Sequence, residues 1–173
     1  PHKEPSHVVD AIDRLEMIRL AFSNRSDFEV SDVELKRLGP SYTIDTVRHF
    51  KSVLSKYTEL YLILGIDAFL EIDTWKAYTE LFFLVPFIVM ARPVTMENGA
   101  VLRWKNVEDY LKSMISEDYQ FSVSRSCYVH DKKQPIFVAD VTPVEISSTE
   151  IRKRIKNGKT LNSMLPVIFK EYI

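Results

Sequence analysis

The stretch Ile146-Ser147-Ser148-Thr149-Glu150-Ile151-Arg152 gathers side chains suited to holding a phosphate. Free backbone N–H groups at a helix start attract anions, and neighbouring hydroxyls add donors. Arg152 would sit in the first turn or two, with Lys153, Arg154, Lys156 and Lys159 after it. Positive charge close to a helix N-terminus opposes the helix dipole, and a bound anion would offset that conflict. The same residues also read as a plain capping box, Ser147-x-x-Glu150, followed by a solvated basic face.

Three further stretches place chemistry just after a strand or at a helix start, where open α/β sheets bind their ligands. Gly65-Ile66-Asp67 follows the apolar run Leu60–Leu64. Glycine admits a close approach, and an aspartate there can accept hydrogen bonds from ribose hydroxyls. The structural alternative is a strand-ending glycine and a helix-capping aspartate. Ser41-Tyr42-Thr43 offers three hydroxyls after Gly39-Pro40, for a phosphate, a carboxylate or simple capping. Trp75, with Tyr78 close behind, presents a flat ring able to stack on a heteroaromatic ligand, or else a partly buried core indole.

Other chemistries are poorly provided for. His2, His7, His49 and His130 are scattered without metal-ligand spacing, and no metal site is expected. The single cysteine, Cys127, allows no internal disulfide and fits a reducing compartment. There is no G-x-S-x-G elbow and no P-loop, and four glycines are too few for dinucleotide-binding loops. A formal net charge of −1 gives no global attraction to nucleic acid or to a membrane surface. No apolar run reaches the ~20 residues of a membrane span.

The elements that must position these groups follow from the spacing of apolar residues. Val8, Ile12, Leu15, Ile18 and Phe22 predict one face of a helix capped by Ser6. Phe28–Val30 is a short strand candidate, and Val33–Leu38 is mixed. Thr43 is expected to cap a helix to about Tyr57, with Val47, Phe50 and Leu54 inward. Leu60–Leu64, apolar on both faces, predicts a central parallel strand ended by Gly65. Residues Asp67–Phe83 suggest a helix in two pieces, and Phe87–Ala91 a second strand closed by Arg92-Pro93. Asn106–Ile115 predicts a helix, Tyr119–His130 a strand or hairpin, and Ile136–Val141 a third apolar strand. A basic helix from Ser147 or Ser148 to Lys156 should stop at Asn157-Gly158, and Pro166 suits the first turn of a last helix. Strands alternating with helices imply an α/β fold with a parallel sheet. Residues 1–173 are about one domain long.

In this order along the chain, several stretches resemble bacterial nicotinate-mononucleotide adenylyltransferases. They are Pro1-His2-Lys3, Arg14 with Met17, Ser41–Thr46, Gly65–Ala68, Trp75, Arg92-Pro93, Ile146–Arg152 and the closing Leu165-Pro166 with Tyr172-Ile173. The resemblance implies a Rossmann-like, doubly wound nucleotidyl transferase domain in the cytoplasm. Its reaction would join ATP to nicotinate mononucleotide with the help of Mg²⁺, giving deamido-NAD and pyrophosphate. It further implies that Ser147, Ser148, Thr149 and Arg152 hold ATP phosphates, with Arg152 stabilising the transition state. Asp67 and the Gly65 backbone would bind the ribose and adenine, with Arg92 near the ATP pocket. Tyr42, Thr43 and a stacked Trp75 would meet the pyridine nucleotide, and Lys3 and His2 its phosphate. Thr43, Asp67 and Ser148 are then expected to line one cleft.

The family's opening G-x-F-D-P-x-H-x-G-H segment and first strand have no match here, and Pro1 is not an initiator methionine. The expectation is a domain incomplete at its N-terminus, with that segment encoded upstream. A pantetheine-phosphate type adenylyltransferase and a non-catalytic nucleotide-binding domain stay open as alternatives. A homo-oligomer is compatible with the sequence, which does not distinguish nicotinate from nicotinamide mononucleotide.

Overall fold

Apolar runs and a hairpin supply the strands of the computed structural model, which describes residues 10–91, 94–95, 101–102, 104–142, 146, 148–161 and 164. Among these residues the strands are β1 (Leu62–Gly65), β2 (Phe87–Ala91), β3 (Val94–Thr95), β4 (Val101–Leu102), β5 (Gln120–Ser122), β6 (Cys127–Val129) and β7 (Ile136–Asp140). The helices are α1 (Ala11–Phe22), α2 (Thr43–Val53), α3 (Ile66–Phe69), α4 (Tyr78–Leu84), α5 (Trp104–Tyr110) and α6 (Ser148–Lys156). The chain divides into two compact units, Tyr42–Pro143 and the pair of segments Pro1–Ser41 and Val144–Ile173.

The unit Tyr42–Pro143 contains a five-stranded sheet in the order β1-β2-β7-β6-β5. β1, β2 and β7 run parallel, with Leu62 opposite Phe87, Phe87 opposite Ile136 and Ala91 opposite Asp140. β6 and β5 join antiparallel, so the sheet is mixed rather than wholly parallel. The reason is local: a turn as short as that after Ser122 can reverse the chain but cannot make the crossover that parallel pairing needs. β3 and β4 form a separate two-stranded ladder.

The predicted strand at 87–91 coincides with β2, and the hairpin and the third apolar strand are both present. β1 starts two residues later than expected, because its first ladder bond runs from the Leu62 N–H to the Pro86 carbonyl at 2.9 Å. It is not a central strand among the described residues. β1 has one ladder partner, and Ile63 on its outward face is 58% exposed. Phe28–Val30 is not a strand; the Phe28 N–H turns back to the Arg25 carbonyl, and the Phe28 ring packs 4.6 Å from that of Phe22.

Helices show the same mixture. α2 ends at Val53, where Leu54 turns extended and stays partly exposed. Residues 67–83 break into three short pieces, α3, a 3-10 turn at Ile72–Thr74 and α4, with Ala77 left-handed before α4. α5 continues into a π-helical turn, Leu111–Ile115, within the expected helical span. The core of this unit includes Ile44 and Val47 of α2, Phe69, Phe82, Phe87, Leu111, Tyr119 and Ile136. Phe69 sits at its aromatic centre, edge-on to Phe82, Phe87 and Tyr110.

In the other unit, α1 begins at Ala11, with the Asp10 carboxylate accepting the Ile12 N–H at 2.8 Å as its cap. Ser6 lies outside the described residues. The expected inward face is only partly covered: Leu15 and Phe22 are half-buried, whereas Ile12 and Ile18 are exposed. α6 occupies the predicted basic segment and stops where Gly158 takes a left-handed φ of 61°. The Gly158 and Lys159 N–H groups return to the carbonyls of Ile155 and Arg154, as such a helix end requires. Pro166 and the helix expected there lie outside the described residues. No helix among the described residues is long and apolar enough to cross a membrane.

Candidate functional site

Gly65 closes β1 and caps α3, so Gly65-Ile66-Asp67 lies at the carboxyl end of a parallel strand, the expected position for ligand binding. Its backbone angles, φ −71° and ψ 155°, suit any residue. A Cβ built there would meet no atom within 4 Å among the described residues. No described residue therefore calls for glycine at this point. Ile66 and Phe69 anchor α3 in the core, which turns Asp67 outward. The exposed Asp67 carboxylate accepts no hydrogen bond from the described residues. Side-chain capping, the structural alternative for Asp67, is absent: Gly65 holds the cap position of α3 and Asp67 lies inside the helix.

The start of α2 and the segment leading into α4 meet within the same unit. Tyr42, not Thr43, holds the cap position of α2, and its carbonyl accepts the N–H groups of Asp45 and Thr46. Thr43 is the first helical residue, and its hydroxyl has no partner among the described residues. The shift follows from backbone geometry: Tyr42 is extended at φ −116° and Thr43 is already helical. Ser41 uses its hydroxyl on the Glu34 carbonyl at 3.0 Å. Trp75 ends the 3-10 turn, its N–H bonded to the Ile72 carbonyl. Tyr42, Trp75 and Tyr78 are all partly buried against the core.

Charged residues that the sequence reading did not single out tie these pieces together. The Lys76 ammonium lies 4.3 Å from the centre of the Tyr42 ring and 3.2 Å from Asp45 Oδ2. Arg48 donates through two nitrogens to both oxygens of Glu80, holding α2 against α4. That hydrogen bond lowers the Glu80 carboxyl below its ordinary range and raises the Arg48 guanidinium. In the turn before Trp75, Asp73 meets the Tyr110 hydroxyl, which donates to Asp73 Oδ1 at 2.6 Å and accepts the Asp73 N–H at 3.2 Å. Burial, then the bond to Asp73, pushes the Tyr110 hydroxyl up to about 12. Only the Asp45–Arg48 pair had a local signal, its i,i+3 spacing.

In the other unit, Ser148, Thr149 and Arg152 lie in the first turns of α6. All three are exposed. Arg152 has no carboxylate partner among the described residues, whereas Arg154 is paired with Glu150 at 2.8 Å. That pair draws the Glu150 carboxyl downward. His2, Lys3, Arg92 and Ser147 lie outside the described residues. His130 is a structural residue: its side chain is 5% exposed, and Nδ1 accepts the N–H groups of Lys132 and Lys133. A depression of about 500 Å³ beside it, reaching Asp118 and Arg125, includes none of the expected site residues. Among the described residues no group of three or more His, Cys, Asp or Glu is placed to hold a metal ion.

Comparison with known proteins bears directly on this arrangement. Residues 1–154 match the cytidylyltransferase-like family. The whole chain is 38% identical to a probable nicotinate-nucleotide adenylyltransferase of Desulfatibacillum aliphaticivorans, over 78% of that relative's length. It is 34% identical to the protein of that name in Thermoanaerobacter sp. (strain X514), over 72% of its length. With the corresponding protein of Moorella thermoacetica (strain ATCC 39073 / JCM 9320) the identity is 35%, over 70%. Full coverage of this chain at such identity, with glycine and aspartate at the end of a parallel strand, shows that it belongs to the cytidylyltransferase-like family, among the nicotinate-nucleotide adenylyltransferases.

Proposed function

We propose that the chain transfers the adenylyl group of ATP to nicotinate mononucleotide, giving deamido-NAD and pyrophosphate. The observation that carries this assignment is the match of the whole chain to relatives named for that activity. The end of β1 supports it, with a glycine that no described residue requires and an aspartate left without a partner among the described residues. The family match covers residues 1–154 and so passes through both compact units, which supports treating residues 1–173 as one nucleotidyl transferase domain.

In this chemistry a phosphate oxygen of the mononucleotide attacks the α-phosphorus of ATP. A new P–O bond forms, the bond to the β-phosphate breaks, and pyrophosphate leaves with the electron pair. No protein nucleophile takes part. The protein contributes position and neutralisation of phosphate charge. Asp67 and the Gly65 backbone are assigned to the ribose and adenine of ATP, together with Arg92. Ser147, Ser148, Thr149 and Arg152 are assigned to its phosphates, and Arg152 to charge developing in the transition state. Tyr42, Thr43 and Trp75 are assigned to the pyridine nucleotide, and His2 and Lys3 to its phosphate. Mg²⁺ would accompany ATP as part of the substrate and help neutralise its phosphate charge. A cytoplasmic setting accords with the free thiol of Cys127 and with substrates of central metabolism.

Pyrophosphate release from ATP with each acceptor in turn tests the assignment. Release with nicotinate mononucleotide is expected. Release only with phosphopantetheine would replace the acceptor, and nucleotide binding without release from any acceptor would make the chain a binding module.

A further inference from the structure

We infer that Lys76 makes the pyridine subsite prefer the acid, nicotinate, over the neutral amide; this rests on the assignment of Tyr42 and Trp75 to the pyridine nucleotide. Lys76 follows Trp75 directly in the chain, and its ammonium lies on the Tyr42 ring, 4.3 Å from the centre. A second contact, 3.2 Å to Asp45 Oδ2, restrains a side chain that is otherwise flexible. The cation is thus held on the face of Tyr42, one of the two aromatic residues assigned to the ring, and Lys76 is the chain neighbour of the other, Trp75.

Its neighbours leave Lys76 as the available charge in this cluster. Arg48 spends its fork on Glu80 and reaches Asp45 only at 3.4 Å. Lys76 has three N–H donors, gives one to Asp45 Oδ2 at 3.2 Å, and keeps its side chain 49% exposed. Nicotinate and nicotinamide have rings of the same shape and stack alike on an indole. They differ by one negative charge, which an ammonium with open donors can read and an aromatic face cannot. Tyr42 and Asp45 hold that ammonium in place, so they act on the preference through Lys76.

The test is binding of nicotinate mononucleotide and nicotinamide mononucleotide, by calorimetry, to the wild-type chain and to Lys76→Met. The methionine keeps the aliphatic stem over Tyr42 and removes the charge. The wild type should bind the acid more tightly. Lys76→Met should weaken the acid about tenfold, the scale of one charge-assisted hydrogen bond discounted for a half-exposed ammonium. Its affinity for the amide should stay within about twofold on the same grounds, and Lys76→Arg should restore the preference. An unchanged acid-to-amide ratio in Lys76→Met overturns the inference. Equal loss of both ligands also overturns it, since Lys76 would then only prop Tyr42. Pyrophosphate release is followed on the same samples. Acid-selective binding that depends on Lys76, without release, would support the inference and sink the transferase assignment instead.

Discussion

Replacing Gly65 with alanine should move stability and nucleotide binding in opposite directions. The backbone at φ −71° and ψ 155° accepts alanine without strain, and the new methyl would meet nothing within 4 Å among the described residues. Alanine also removes freedom from the unfolded chain, which stabilises a compatible position by about 0.4–1 kcal/mol. For a chain of this size that corresponds to a rise in Tm of about 1–4 °C. If ATP lies against the Gly65 backbone, the methyl occupies space the ligand needs. Overpacking of that kind costs about 1–3 kcal/mol, or roughly 5- to 150-fold in affinity. Thermal unfolding and ATP titration on the same preparation read both effects. A variant that melts no lower than wild type and binds ATP equally well would remove Gly65 from the nucleotide site. A clearly lowered Tm would refute the premise that the fold tolerates a side chain there.

Three other substitutions test the supporting structure. Tyr110→Phe removes the hydroxyl that both donates to and accepts from Asp73; a loss of about 1–3 kcal/mol in urea unfolding and a higher KM for the mononucleotide are expected, because the turn before Trp75 loosens. The folded Tyr110 hydroxyl is raised from its ordinary 10 to about 12, so its contribution is fully present below about pH 10 and is lost as pH rises through 12; between about pH 10 and about pH 12 the wild type should therefore lose more stability than Tyr110→Phe. Arg152→Met should lower kcat by about 10²–10³ without shifting Tm, whereas Arg154→Met, which breaks only the exposed pair with Glu150, should leave kcat nearly unchanged. Ala77→Gly should stabilise the fold by up to about 1 kcal/mol, since Ala77 sits at φ 51° and ψ 37° before α4; an unfolding curve shifted to lower denaturant would contradict this.

What the sequence settled alone is what neighbouring residues decide between themselves. The apolar runs at 87–91 and 136–139 were legible as strands, and both pair within the sheet as β2 and β7. The hydroxyl-rich start at Ser148 and the left-handed Gly158 bounded α6 through backbone requirements that lie within a few residues. The ordered motifs from Ser41 to Arg152 carried the family, because each stretch keeps its chemistry within a short span. Propensity failed where packing outweighed it: Phe28–Val30 turns back on Phe22. Among the described residues β1 has a single ladder partner, β2. The outward turn of Asp67 depends on α3 being anchored by Ile66 and Phe69. Lys76 on Tyr42, Arg48 on Glu80 and Tyr110 on Asp73 join side chains 34, 32 and 37 positions apart. Nothing in local periodicity encodes such meetings, since they exist only once sheet order and helix packing bring distant segments within a few ångströms.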